Sequence, residues 1–216
     1  MLKILILNQN TIGMILERCT RKINTAIFIS GNGSNMIRII EEIENGVLNN
    51  TLELRMVFSD NKDSLGLKRA EALGLNTVFY KQYYKNRKKG EINLLNELNR
   101  LNINFIILAG YMRILSPFFI KSFKGSIINI HPADTDEYKG KNAYEWVFEN
   151  KLRFSKITIH IVNEDVDSGR VLYKKEFKIP LNATLEEIKR IGLKTEHNIY
   201  SKVIRNYIRK ELIKKH

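Results

Sequence analysis

The sequence predicts an α/β fold, a doubly wound and mostly parallel sheet closed by an antiparallel edge hairpin. Three observations carry that prediction. From Thr25 onward, short apolar runs alternate with helical patterns, the rhythm of a parallel sheet. Ile103–Leu108 is an apolar run but for Asn104, as expected of a central parallel strand covered on both faces. Late in the chain the rhythm changes. Lys156–Val162 and Val171–Ile179 both read as strands, with Asp167-Ser168-Gly169 in the turn between them.

Residues 1–23 do not fit this pattern and read as an N-terminal extension, with Met14 as an alternative start. The domain proper then spans 24–216. Thr25–Ile29 is a strand, Ser30-Gly31-Asn32-Gly33-Ser34-Asn35 a glycine-rich turn, and Met36, Ile37, Ile39, Ile40 and Ile43 one helical face. Leu52–Phe58 is the second strand. Asp63 or Ser64 caps a helix that Gly74 closes. Asn76–Tyr80 gives a third strand and Ile92–Leu101 a helix. Ser116-Pro117 starts a short helix with proline at its first position. Ser126–Ile130 is the fifth strand and Asn142–Phe148 a short helix carrying Trp146. Thr184-Leu-Glu-Glu187 is a capping box that opens a long last helix. There is no repeat, low-complexity segment or linker, so one domain is expected.

Composition sets the bounds. The 216 residues are 44% hydrophobic, ordinary for a globular chain, and no apolar run is long enough to span a bilayer. There is no signal-peptide pattern, and Cys19 is the single cysteine, which leaves no disulfide framework or thiolate metal cluster. A cytoplasmic protein without a membrane partner is the simplest reading. The net charge of +13 suits either nucleic acid or an anionic small substrate. Its basic stretches, Lys81–Lys89 and Lys202–Lys215, carry no zinc-finger spacing and no aromatic RNA-binding signature, which argues for the small substrate.

The stretch Ser126–Asp136 has the strongest chemical signal. Asn129 and His131 are two apart and share one side of a buried strand. Such a polar pair is poor core material, and strand ends are where α/β proteins place ligands. An amide and an imidazole together supply a donor for a developing oxyanion and a group to move a proton. The late hairpin can bring Asp167 to His131, where a carboxylate would raise the imidazole pKa. The turn Ser30–Asn35 lacks the Lys-Ser/Thr of a nucleotide loop and the third glycine of a dinucleotide fingerprint. It suits a single phosphate at a helix N-terminus. His160, inside a strand, reads as structural, and no histidines have metal spacing, so no metal is expected.

Taken together, Ser30–Asn35, Ala109–Pro117, Asn129-Ile130-His131-Pro132 and Asp167-Ser168-Gly169 occur in an order that resembles the phosphoribosylglycinamide formyltransferases, folate-dependent enzymes of purine synthesis. The resemblance covers roughly residues 24 to 205 and implies a single formyltransferase-type domain. It implies that Asn129, His131 and Asp167 form the catalytic triad. Gly33, Ser34 and Asn35 would hold the substrate phosphate, and Glu196 would contact the glycinamide ribonucleotide. Arg87, Met112, Arg113, Ile114, Leu115, Val162, Asn163 and Asp167 would line the folate pocket. The implied formyl donor is 10-formyltetrahydrofolate, the implied partners are small molecules only, and the implied assembly is a monomer or homodimer. By the same resemblance, the substrate amine attacks the formyl carbon through a tetrahedral oxyanion held by Asn129 and protonated His131. One departure bears on the acceptor. After His131-Pro132 the family continues with a small residue, two leucines and a proline, whereas here stands Ala133-Asp134-Thr135-Asp136-Glu137. A related folate-dependent formyltransferase acting on another amine, such as an amino sugar nucleotide, is therefore the alternative.

Overall fold

The computed structural model describes residues 22–81 and 86–212. The expected extension lies almost entirely outside them. Seven strands form one sheet in the order β3-β2-β1-β4-β5-β6-β7. They are β1 (Ile23–Ile29), β2 (Leu52–Ser59), β3 (Thr77–Val78), β4 (Phe105–Leu108), β5 (Ser126–His131), β6 (Phe154–Ile161) and β7 (Val171–Lys178). The first five run parallel, and β6 and β7 add an antiparallel edge. The doubly wound sheet and its edge hairpin are thus as the alternation indicated.

Each face of the sheet buries its own core. Ile27, Ile29, Phe105 and Ile107 face α1 (Ser34–Glu44) and the long α6 (Leu185–Tyr207), against Met36, Ile39, Tyr200 and Ile204. Ala26, Phe28, Ile106 and Leu108 face the other way. They meet Leu94, Leu95 and Leu98 of α3 (Arg87–Arg100) and Phe119 of α4 (Pro117–Ser122). This alternation from the apolar runs Ala26–Ile29 and Phe105–Leu108 is why β1 and β4 sit at the centre. The shorter helices α2 (Leu65–Ala72) and α5 (Ala143–Glu149) complete the layers.

Three expectations shift. The third strand is only the pair Thr77–Val78. Helix α3 starts at Arg87 rather than Ile92, because Asn86 caps it by accepting from Lys89 N at 3.0 Å. The last helix keeps its capping box on Thr184 but widens into a π-helical turn at Ile208–Leu212. The chain builds outward from β1 to β3, then returns to the other side of β1 as β4. The carboxyl ends of β1 and β4 therefore frame a topological switch point, the usual position of a ligand crevice.

Candidate active site

A cavity of about 790 Å³ opens at that switch point. One part of its wall is the turn after β1. Gly33 holds a left-handed φ of 73° as the N-cap of α1, so Ser34 and Asn35 enter the helix with their N–H groups unpaired within it. The turn lies so close to the start of α2 that a Cβ on Gly33 would stand 2.9 Å from Gly66 Cα. Gly66 N donates to Gly31 O at 3.0 Å across the same contact. Ser30 ties the turn to the opposite wall. Its hydroxyl donates to Asp60 Oδ1 at 2.6 Å and accepts from Met112 N at 2.8 Å. Arg113 Nε reaches Asp60 Oδ2 at 2.6 Å.

Beside the turn, Glu196 of α6 is fully enclosed. Asn35 Nδ2 donates to its Oε2 at 2.5 Å, and the Tyr144 hydroxyl donates to its Oε1. Burial raises the Glu196 pKa, and those two hydrogen bonds only partly oppose it. Asn35 Oδ1 is buried without a protein partner and lies on a residue that lines the cavity. Tyr144 reaches Glu196 because Gly192 leaves it room, since a Cβ there would fall 2.2 Å from the ring.

Asn129 and His131 project from β5 on one face, as their spacing requires, and β6 adds its own polar residues there. Asn129 pairs with His160 and His131 with Thr158 across the antiparallel ladder. The β6–β7 turn carries Asp167 back over them at a left-handed φ of 47°, a conformation aspartate tolerates better than most residues. Asp167 Oδ2 stands 3.3 Å from His131 Nδ1 and accepts from Gly140 N at 2.9 Å. Its Oδ1 accepts from Asn129 Nδ2 at 3.3 Å and lies 3.3 Å from His160 Nε2. His131 Nε2 faces the Tyr138 carbonyl at 3.1 Å.

The electrostatics differ from expectation in one respect. Burial lowers the His131 pKa, and His160 adds to the lowering. Asp167 and the Tyr138 carbonyl pull it up but do not offset the loss of water. The net shift is downward, not upward. Asp167 is lowered too. Burial would raise it, but His160, His131 and Gly140 N outweigh that, so it stays ionised.

The apolar wall comes from the segment after β4 and from the hairpin. Met112 and Ile114 are 62% and 55% exposed. They line the cavity with Arg113, Leu115, Val162 and Asn163. Arg87 is not part of this lining. It donates to the Ile114 carbonyl and, at 3.0 Å, to the buried Glu91, which also accepts from Ser116 N. Arg87 thus braces the wall from behind. Among the described residues no group of three or more histidines, cysteines or acids is placed to hold a metal. No described helix is long and apolar enough to cross a membrane.

Residues 23–204 match the model of the formyl transferase family. The chain belongs to that family. It is 33% identical over 181 residues to phosphoribosylglycinamide formyltransferase of Haemophilus influenzae, covering 83% of this chain and 84% of that protein. It is 31% identical to the trifunctional purine biosynthetic protein adenosine-3 of Gallus gallus. There it covers 84% of this chain but 18% of the relative, so the chain spans under a fifth of that protein. Among solved structures, the phosphoribosylglycinamide formyltransferase of Bacillus halodurans superposes with a TM-score of 0.81 at 27% identity, over 87% of this chain and 96% of that one. The enzyme of that name from Campylobacter jejuni gives 0.79 at 30% identity, over 88% and 99%.

Within this family fold, three contributors were not read from the sequence. His160 joins the Asn129–Asp167 cluster. The strand alternation did hold a signal, because Ile157 and Ile159 take the apolar face and leave Thr158 and His160 opposite Asn129 and His131. Asp60 ties two cavity walls together, and Tyr144 holds Glu196. The departing residues 133–137 also find their place. None lines the cavity, although Pro132 and Tyr138 on either side do. Ala133, Asp134 and Thr135 are buried beneath it.

Proposed function

We propose that this chain transfers a formyl group from 10-formyltetrahydrofolate to the amine of 5′-phosphoribosylglycinamide, a step of de novo purine biosynthesis. One observation carries the reading: the phosphate-type turn at Gly33–Asn35 and the Asn129–His131–Asp167 cluster line a single cavity. The names of the Haemophilus influenzae, Bacillus halodurans and Campylobacter jejuni relatives support it. The reading extends to a cytoplasmic enzyme, monomer or homodimer, acting on small molecules without a nucleic-acid or membrane partner.

The residues fit both substrates. Backbone N–H groups of Ser34 and Asn35 at the start of α1 suit a phosphate ester. Glu196 and the unpartnered Asn35 Oδ1 are acceptors beside it, suited to hydroxyl or amide donors of the same molecule. Met112, Ile114, Leu115 and Val162 give apolar walls to a flat heteroaromatic ring. The folate supplies the activated formyl group. Asn129 and His131 stand beside the oxygen on which charge develops when the amine attacks, and their N–H groups, held here by Asp167 and the Tyr138 carbonyl, would turn to it. Asp167, ionised and set between two imidazoles, orients His131 and gives the amine proton a path away. Because residues 133–137 stay out of the cavity, they give no reason to favour a different acceptor.

The test is formyl transfer from 10-formyltetrahydrofolate to glycinamide ribonucleotide, followed by absorbance of the deformylated folate, with His131→Ala as control. Turnover that the control abolishes is the expected result. A folded protein that binds the folate but does not turn over would reject this acceptor. Absence of folate binding would reject formyl transfer itself.

A further inference from the structure

The loop between His131 and Gly140 supplies two of the contacts that define the catalytic cluster, Tyr138 O to His131 and Gly140 N to Asp167. Its course is set by Asp134. The Asp134 carbonyl accepts from Glu137 N at 2.9 Å and from Tyr138 N at 2.8 Å, closing one turn that delivers Tyr138. The Asp134 side chain is buried and anchored to the edge hairpin. Its Oδ2 pairs with Lys156 Nζ of β6 at 2.8 Å, and its Oδ1 pairs with Lys174 Nζ of β7. Lys174 also pairs with Asp136 at 2.6 Å, and Thr158 Oγ1 donates to Ala133 O at 2.8 Å.

We propose that Asp134 is a positioning residue for the reaction. Clamped by Lys156 and Lys174, it fixes the loop so that the Tyr138 carbonyl and the Gly140 amide meet His131 and Asp167. The proposal rests on the formyl-transfer reading of the cavity. A buried carboxylate with two ammonium partners does here what an apolar plug could do by packing. It also adds direction, because the partners lie on both strands of the hairpin that carries Asp167. The clamp therefore registers the loop against the same element that holds the carboxylate of the cluster.

The test compares Asp134→Asn, Asp134→Glu and Lys174→Met with the unaltered chain. It uses steady-state kinetics and NMR titration of the His131 ring, with thermal melting to confirm folding. A displacement of about 1 Å at catalytic groups can cost up to a hundredfold in rate. We expect Asp134→Asn to lower kcat roughly ten- to a hundredfold, with both KM values within about threefold, and Asp134→Glu to restore part of the loss. Around His131 stand Asp167, His160 and the Tyr138 carbonyl, with Asp134, Asp136, Glu137, Lys139, Lys156 and Lys174 on the elements packed against it. Removing the Asp134 charge would lower the His131 midpoint by simple electrostatics, so Lys174→Met decides. It keeps Asp134 paired to Lys156, and loss of a positive charge alone would raise the midpoint. Loosening the loop withdraws the Tyr138 carbonyl and lowers it. A fall in the midpoint together with reduced kcat supports the proposal. A rise, or unchanged kcat in folded variants, overturns it. If the unaltered chain does not formylate glycinamide ribonucleotide, the functional reading fails on that result, and the titration alone judges Asp134.

Discussion

Both ring nitrogens of His131 face acceptors, the Asp167 carboxylate at Nδ1 and the Tyr138 carbonyl at Nε2. A neutral imidazole carries one N–H and satisfies one of them, whereas the imidazolium satisfies both. Burial opposes the charge and prevails, so the midpoint lies below the ordinary value. The ring is thus a weaker base than a free imidazole, and only a proton gained at the second nitrogen would satisfy both acceptors. Asp167 is the main group opposing that depression, so its charge controls how readily the ring takes the proton. Asp167→Asn should drive the His131 midpoint lower still, because the substitution removes the negative charge that raises it. Turnover should fall on the order of a hundredfold or more, the usual scale for a positioned acid–base group. Ring titration by NMR and steady-state kinetics measure the two effects. A midpoint that stays put or rises would mean that the carboxylate does not act through this imidazole.

At the scale of elements, the cavity depends on how closely the turn after β1 can approach the start of α2. A Cβ on Gly66 would stand 2.7 Å from Ile29 Cδ1, 2.9 Å from Gly31 O and 3.1 Å from Gly33 Cα. Two of those neighbours are backbone of the phosphate-type turn and cannot yield without moving it. Gly66→Ala should therefore raise KM for the phosphate-bearing acceptor about tenfold or more, overpacking being worth ~1–3 kcal/mol, and change folate affinity far less. Equal KM values in a folded variant would show that the turn does not hold the phosphate. The sequence exposed the turn itself through Gly31, Gly33 and the small polar residues, and it exposed Asn129 and His131 through their shared side of β5. It did not expose Gly66, whose role is a contact across 33 residues of chain. His160 was hidden for a related reason. Alternation gave its face, but its partner Asn129 is set by the β5–β6 register, and the shift between Ile159 and His160 against β7 lies at the site. Local patterns report strands, turns and caps, but a burial balance such as the one on His131 depends on everything packed around it.

Over the whole molecule, 36 basic residues against 23 acidic ones leave a field that attracts anions. Inside the cavity that excess is not concentrated. Arg113 is paired to Asp60 and Lys189 to Glu145, while Glu196 and Asp167 contribute acidic groups of their own. The turn at Gly33–Asn35 offers a phosphate backbone N–H groups and a helix N-terminus. The attraction of a phosphate ester and a polyanionic folate must then come largely from the surface as a whole, acting at long range during encounter. Long-range attraction is what salt removes, since the Debye length shrinks from ~30 Å at about 10 mM to ~8 Å at about 150 mM. Across that range kcat/KM for both substrates should fall several-fold while kcat changes by less than about twofold. Steady-state kinetics at a series of salt concentrations separates the two quantities. The clamp of Asp134 with Lys156 and Lys174 gives the contrary outcome a meaning. Its carboxylate is buried. Burial alone would raise its pKa, but the hydrogen bonds from Lys156, Lys174 and Asp136 N, with the Lys174 charge, hold it at about 2. Lys156 and Lys174 keep 38% and 23% of their side-chain surface exposed, so salt reaches the clamp only in part. A fall in kcat matching that in kcat/KM would place the salt effect in the loop that presents Tyr138 and Gly140, not in the approach of the substrates.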